Sequence, residues 1–243
     1  MSGLSRTLSE TNGSCCMTET QTGGTHSMTP TVEEMRKKWK PLAHAMLSFI
    51  NMGPNAEYYI AHPEKMYLGT IKNKRILSEQ HHIDTPEQLK QHLEWQMSVG
   101  LREEFDNMYQ ELILLPEAER GRRIASGSDP LIRHKMSVVN HYLRRMPAGG
   151  LTGYDCSFIV LKSLMAEQLK WLTGEEAWNY VGQAVKLART RYGDWYDYCM
   201  SFAVGLEFYA IDDPAYYVRD AQGRLRRLLT VQDSPLVQVK LHH

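Results

Sequence analysis

At three places in this chain a threonine is followed three residues later by Glu or Gln, and then by apolar residues at helical spacing: Thr31 with Glu34, Thr85 with Gln88, and Thr173 with Glu176. In such a capping box the Thr hydroxyl accepts from the third helical backbone N–H, while the Glu or Gln side chain reaches back to the Thr N–H. Two donors that a helix start leaves unpaired are thereby satisfied together. The boxes fix where helices begin, and the stripes that follow say which face each one buries.

After Thr31, residues Val32, Met35, Trp39, Leu42, Met46, Leu47 and Ile50 predict a long amphipathic helix reaching Gly53-Pro54, with Pro41 kinking or restarting it. A short helix is expected near Ile71 to Glu79. Thr85 opens a helix with Pro86 in its first position and Leu89, Leu93 and Met97 as its buried stripe up to Gly100. Leu101, Phe105, Met108 and Leu112 continue at once into another, which Pro116 closes. Residues 117–127 read as a short helix or ordered loop. Asp129-Pro130 then starts a helix carrying Leu131, Val138, Val139, Tyr142 and Met146 until Pro147.

Three helices crowd the C-terminal half. Phe158, Leu161, Met165, Leu169 and Leu172 mark the first; Trp178, Val181, Val185 and Ala188 mark the second, with Gly193 as a left-handed end; Asp194 caps the third, with Trp195, Cys199, Phe202, Leu206 and Tyr209 in line. Beyond Asp212-Asp213-Pro214, Tyr216-Tyr217-Val218 and Leu225 to Leu229 flank Asp220-Ala221-Gln222-Gly223, which predicts a small two-stranded ribbon. The expected fold is all-α, with seven or eight helices and that hairpin. Residues 1–28 are polar and Ser/Thr/Gly-rich and are expected to be a flexible tail. Residues 29–243 form one helical domain: an N-terminal half to about 149, a half at 150–210, and an extension at 211–243.

Lys+Arg 28 balance Asp+Glu 28, which argues against a dedicated nucleic-acid binder, since such proteins carry excess basic charge. Cys15, Cys16, Cys156 and Cys199 lack CxxC spacing, and the last two fall in helical patterns where Cys acts as a small apolar residue. There is neither an apolar run of about 18 residues nor a signal-like start. A cytoplasmic location with no membrane contact is expected.

Two stretches resemble a known family. ILSEQHHIDTPEQLKQHLEWQMSVGLREEF (Ile76 to Phe105) is similar to the opening motif of the YbeU-like bacterial domain-of-unknown-function family, and Tyr154 to Tyr209 is similar to its C-terminal signature. The likeness covers roughly residues 66–210. Matching pieces are the aromatic-Asp pair Tyr154-Asp155, the capped helix from Thr173 to Trp178, and the closing helix from Asp194-Trp195 to Tyr209. The family pattern commonly has Arg three residues after the Asp and His after the helix-junction Gly. This chain has Phe158 and Leu101 there. The resemblance implies a fold and a bacterial origin and carries no activity with it.

His81, His82, Asp84 and His92 cluster in sequence, and His134 and His141 lie seven apart on one helical face, yet no metal-ligand spacing is present. No metal or other cofactor is expected. Asp155, Glu175 and Glu207 are the candidate catalytic carboxylates, although Glu176 and Asp194 nearby are explained as caps. Nucleophile elbows and phosphate-binding glycine loops are absent. Trp178, Trp195 and Tyr196, with Arg144 and Arg145, are candidate binding residues, because aromatic and Arg side chains dominate interface hot spots. The favoured expectation is a non-enzymatic protein-binding protein, of the immunity or antitoxin type, that covers a partner toxin. The alternatives are an enzyme with a carboxylate/histidine site between the C-terminal helices and an oligomeric scaffold.

Overall fold

The computed structural model describes residues 30–50, 56–209, 223 and 225–242. Ten helices run along most of this span: α1 (Val32–Leu47), α2 (Ala56–Ala61), α3 (Thr70–His81), α4 (Pro86–Ser98), α5 (Gly100–Ile113), α6 (Glu117–Ala125), α7 (Pro130–Tyr142), α8 (Thr152–Leu169), α9 (Gly174–Arg191) and α10 (Trp195–Tyr209). A 3-10 turn at Pro63–Met66 precedes α3, and residues 225–230 and Pro235–Gln238 are also helical. The fold is all-α with more helices than expected, because short segments such as α2 and α6 are separate helices. The N-terminal tail expected at 1–28 lies outside the described residues.

All three capping boxes form, at the starts of α1, α4 and α9. Each contributes about 1 kcal/mol. Asp129 caps α7 through Leu131 N–H at 2.8 Å. Pro41 does not restart α1, which runs as one helix past it to Leu47. Pro41 lies on the exposed face, where water can serve the carbonyl that its missing N–H leaves free, while Leu42, Ala43, Ala45, Met46 and Leu47 hold the buried face in place.

The helix around which the rest is built is α8. It is buried on nearly every side, with α1, α3, α4, α5, α9 and α10 packed against it, as expected for a helix that is apolar all round. It begins at Thr152, ahead of the stripe from Phe158, and ends in a left-handed Lys170 (φ 62°) before Leu172. A second apolar cluster, containing Phe105, Leu112, Met136, Val139, Val204 and Phe208, joins α5, α7 and α10.

Two expectations fail for identifiable reasons. Gly193 is not the left-handed end of α9; the helix exits through an extended Tyr192 (φ −129°). Its hydroxyl donates to the Gly149 and Gly150 carbonyls and accepts from Gly153 N–H at 2.7 Å, so the tyrosine anchors the exit. No strand occurs among the described residues, and the expected hairpin is not seen. Residues 225–230 are helical because Leu225, Leu228 and Leu229 recur at i, i+3 and i+4, with Leu225 and Leu228 buried. Tyr216 to Val218 and Asp220 to Gln222 lie outside the described residues.

Candidate functional site

Two charged residues, Asp155 and Lys162, sit seven apart on α8, almost two turns, and so project from one face. Both are buried, Lys162 at 2% exposure and Asp155 at 0%. They have opposite fates.

Asp155 is fully engaged. Its carboxylate accepts from Leu101 N–H at 2.9 Å, Arg102 N–H at 3.3 Å and Arg102 Nη1 at 2.9 Å. It therefore caps the start of α5 from a different helix. Arg102 also donates to the carbonyls of Gln96 (2.8 Å) and Met97 (2.7 Å) near the end of α4. The two side chains stitch the α4–α5 junction onto α8. Gly100 makes the close approach possible: it has φ +66°, and a Cβ there would lie 2.2 Å from Asp155 Oδ2. Burial pushes the Asp155 carboxyl above its ordinary range, against the pull of the Leu101 N–H and the Arg102 charge.

Among the described residues Lys162 hydrogen-bonds to no carboxylate. Its Nζ lies 2.7 Å from His92 Nε2 and 3.1 Å from Gln96 Oε1, both on α4, and 5.4 Å from the centre of the Phe158 ring. Burial lowers its pKa to about 7, with the Asp155 charge pulling the other way. Burial, with the Lys162 charge adding to it, brings His92 down to about 4; burial together with Lys162, His92 and His82 brings His81 down to about 3. Near neutrality the two imidazoles are uncharged and the amine is divided between its two forms.

These groups face a cavity of about 130 Å³ between α3, α4, α8 and α10, with Lys162, Asp155 and Gln96 in its lining. His81, His82 and His92 line it too, together with the aromatic rings of Trp95, Tyr154, Phe158 and Tyr209. Trp95 and Tyr209 are exposed and mark its mouth. Leu101 and Phe158 both line this cavity. Among the described residues no group of three or more His, Cys, Asp or Glu could hold a metal ion.

The three candidate carboxylates are not brought together. Glu175 is exposed in the first turn of α9. Glu207 accepts from the Tyr142 hydroxyl at 2.8 Å, while its backbone carbonyl lies 2.7 Å from His134 Nε2. Only Asp155 shares a cavity with histidines, and these come from α3 and α4 instead of the last helices. Asp84 accepts from Ser78 Oγ, 2.6 Å away.

Trp178 and Trp195 are buried among core residues. Trp195 Nε1 donates to the Val239 carbonyl at 2.6 Å, which ties the C-terminal segment down. Tyr196, Arg144 and Arg145 are exposed and share a separate groove of about 560 Å³, with Phe49, Met146, Met200 and Ala203 among its apolar lining. Cys156 and Cys199 are buried free thiols, and burial pushes both pKa values up. They serve as core residues.

Lys162 and Gln96 were not singled out from sequence, although a signal existed for each. Lys162 interrupts an apolar run one heptad after Asp155, and Gln96 continues the Leu89–Leu93 stripe at helical spacing. Among the described residues no helix is long and apolar enough to cross a membrane. Comparison with curated proteins and with solved structures returns no match for this chain. A family match does exist, over residues 76–241, and it includes all of the cavity-lining residues: the chain belongs to the DUF1266 family of proteins of unknown function.

Proposed function

We propose that this domain binds a small oxygen-bearing metabolite, or the end of a longer one, with the Lys162 amine as the group that recognises its carbonyl or carboxylate oxygen. The observation that carries this reading is a buried amine facing a cavity while its hydrogen-bond partners, His92 and Gln96, are neutral side chains. A buried ammonium is costly without a counter-charge, and the carboxylate in the same cavity, Asp155, is already occupied by Arg102 and two backbone donors. An acceptor oxygen from a ligand would complete the site. The volume of about 130 Å³ suits roughly six non-hydrogen atoms, since a cavity of about 150 Å³ admits benzene. Aromatic walls would hold the carbon skeleton, and Trp95 and Tyr209 would flank whatever extends outward.

The test is NMR titration of the full chain with acetate, lactate and pyruvate, following the Trp95 indole and the side-chain amide of Gln96. Saturable shifts confined to α3, α4, α8 and α10, and lost in Lys162→Met, are expected. Shifts that persist unchanged in the variant, or no shifts with any of the three, overturn the reading.

A second reading is protein binding, in a bacterial immunity or antitoxin role in which the chain covers a partner toxin. The observation favouring it is that Arg144, Arg145 and Tyr196 share one groove, and Arg and Tyr are favoured interface anchors. Co-purification of the neighbouring gene's product, lost in Arg145→Glu and kept in Lys162→Met, supports it. Full sensitivity to that toxin in cells expressing this protein refutes it.

A further inference from the structure

From the placement of Lys162 we infer that this cavity captures its ligand covalently: the amine condenses with the carbonyl carbon of a short aldehyde or 2-oxo acid to form an imine. This rests on the reading of the cavity as a ligand site and goes one step further, from recognition to bond formation.

The geometry contains what the step requires. Imine formation needs an unprotonated amine, a route for its proton and a place sheltered from bulk water. Lys162 Nζ lies on the cavity lining, and the face of Phe158 lies 5.4 Å from it. His92 Nε2 is 2.7 Å from the same nitrogen, close enough to relay a proton. Gln96 Oε1, at 3.1 Å, fixes the direction of the amine. Among the described residues no acidic side chain hydrogen-bonds to the amine to hold it as an ammonium. The titratable and charged groups around its cavity are His81 from α3 and His82 just after it, His92 from α4, Arg102 beyond Asp155 from α5, Tyr154 and Asp155 from α8, and Tyr209 from α10. With its pKa brought down to about 7, the amine is about half neutral at pH 7. An ordinary surface lysine, with a pKa near 10.4, is neutral about a thousand-fold less often.

The step balances without an oxidant or reductant. The nitrogen lone pair attacks the carbonyl carbon, a C–N bond forms and the C=O π electrons pass to oxygen. A proton moves from nitrogen to that oxygen by way of His92 Nε2, giving a carbinolamine. A second proton, taken up from solvent by way of His92 Nε2, joins the hydroxyl; the C–O bond then breaks, water leaves, and the nitrogen lone pair closes the C=N bond. The resulting protonated imine keeps the Asp155 charge and the Phe158 ring face as its neighbours.

Full-length protein is incubated with pyruvate, glyoxylate or acetaldehyde, reduced with borohydride, digested and mapped by mass spectrometry. Expected is a reduced adduct on Lys162 exceeding that on any other lysine by at least about tenfold, as the neutral fractions require. It should persist down to about pH 7, where surface lysines no longer react, and weaken severalfold in His92→Gln. Mapping the unmodified sequence makes the result independent of whether a Lys162 variant folds; Lys162→Arg serves as a second control. Adducts spread over surface lysines, or equal in Lys162→Arg, overturn the inference. If no adduct forms while lactate still shifts the Trp95 indole in a Lys162-dependent way, covalent capture fails and the binding site stands. If neither is seen, both readings fall.

Discussion

Replacing Lys162 with Met keeps an unbranched side chain of similar length in α8 and removes one buried amine. Lowering that amine from 10.5 to about 7 corresponds to about 5 kcal/mol at about 1.4 kcal/mol per unit. At 2% exposure, solvent screening takes little from this figure. The folded chain holds the proton less tightly than the unfolded chain, so between about pH 7 and about pH 10.5 the unfolded state carries more protons. The penalty is therefore complete below pH 7, and stability rises as pH climbs through that window. Integrated over the interval from about pH 6 to about pH 9, the unmodified protein gains about 2–3 kcal/mol relative to Lys162→Met. His81 and His92, which also face Lys162, are neutral in the fold throughout this interval and largely cancel in the difference, as do distant groups. Urea unfolding of both proteins at several pH values measures it. At any one pH the net change is smaller than the penalty removed, because Gln96 Oε1 loses its donor and a buried orphan costs about 1–3 kcal/mol. Parallel curves of stability against pH for the two proteins would refute the desolvation argument.

Three further outcomes follow from the same geometry. Acid should weaken the fold from about pH 6.5 downward, because burial holds His44, His81 and His92 at about 4, 3 and 4 and the unfolded chain takes up their protons first; Tm against pH should decline there, and less steeply in His81→Phe. Gly100→Ala combines a left-handed backbone with a clash on Asp155 and should cost more than about 3 kcal/mol, whereas Gly121→Ala, exposed within α6 with open space around it, should be neutral or stabilising by up to about 1 kcal/mol; chemical denaturation distinguishes them. Asp155→Asn keeps the shape but removes the charge facing Arg102 and should cost about 3–5 kcal/mol, while shifting Lys162 labelling to lower pH, since the Asp155 charge supports the ammonium.

The helical architecture was legible because it is written in local chemistry. Thr31, Thr85 and Thr173 satisfy backbone donors within three residues, so nothing distant is needed to read them. What sequence obscured was chemistry that spans the chain. Asp155 near a helix start resembles a cap for its own helix, yet it caps α5, whose Leu101 N–H is 54 residues away. Trp178 and Trp195 have the residue type of interface anchors, but packing of α8, α9 and α10 buries them. The Leu225–Leu229 stretch fits a strand by composition, and its spacing of three and four shows the helix that forms. Lys162 escaped notice because a lone lysine in an apolar helix gives no motif, and its character depends on α4 supplying His92 and Gln96 instead of a carboxylate.

That dependence links the fold to the proposed chemistry. The pair Asp155–Arg102 fixes the α4–α5 junction, and the same junction orients the face of α4 that carries His92 and Gln96. One heptad along α8, the carboxylate that could have neutralised Lys162 is spent on that junction, so the amine keeps neutral partners and a low proton affinity. Leu101 adds to this effect, because an aliphatic wall offers the ammonium little solvation, while the face of Phe158, 5.4 Å from Nζ, gives part of it back. A polar residue at either position would hydrate the amine and raise its pKa if neutral, or lower it further if cationic. The apolar surroundings of the amine are therefore part of what sets it near neutrality.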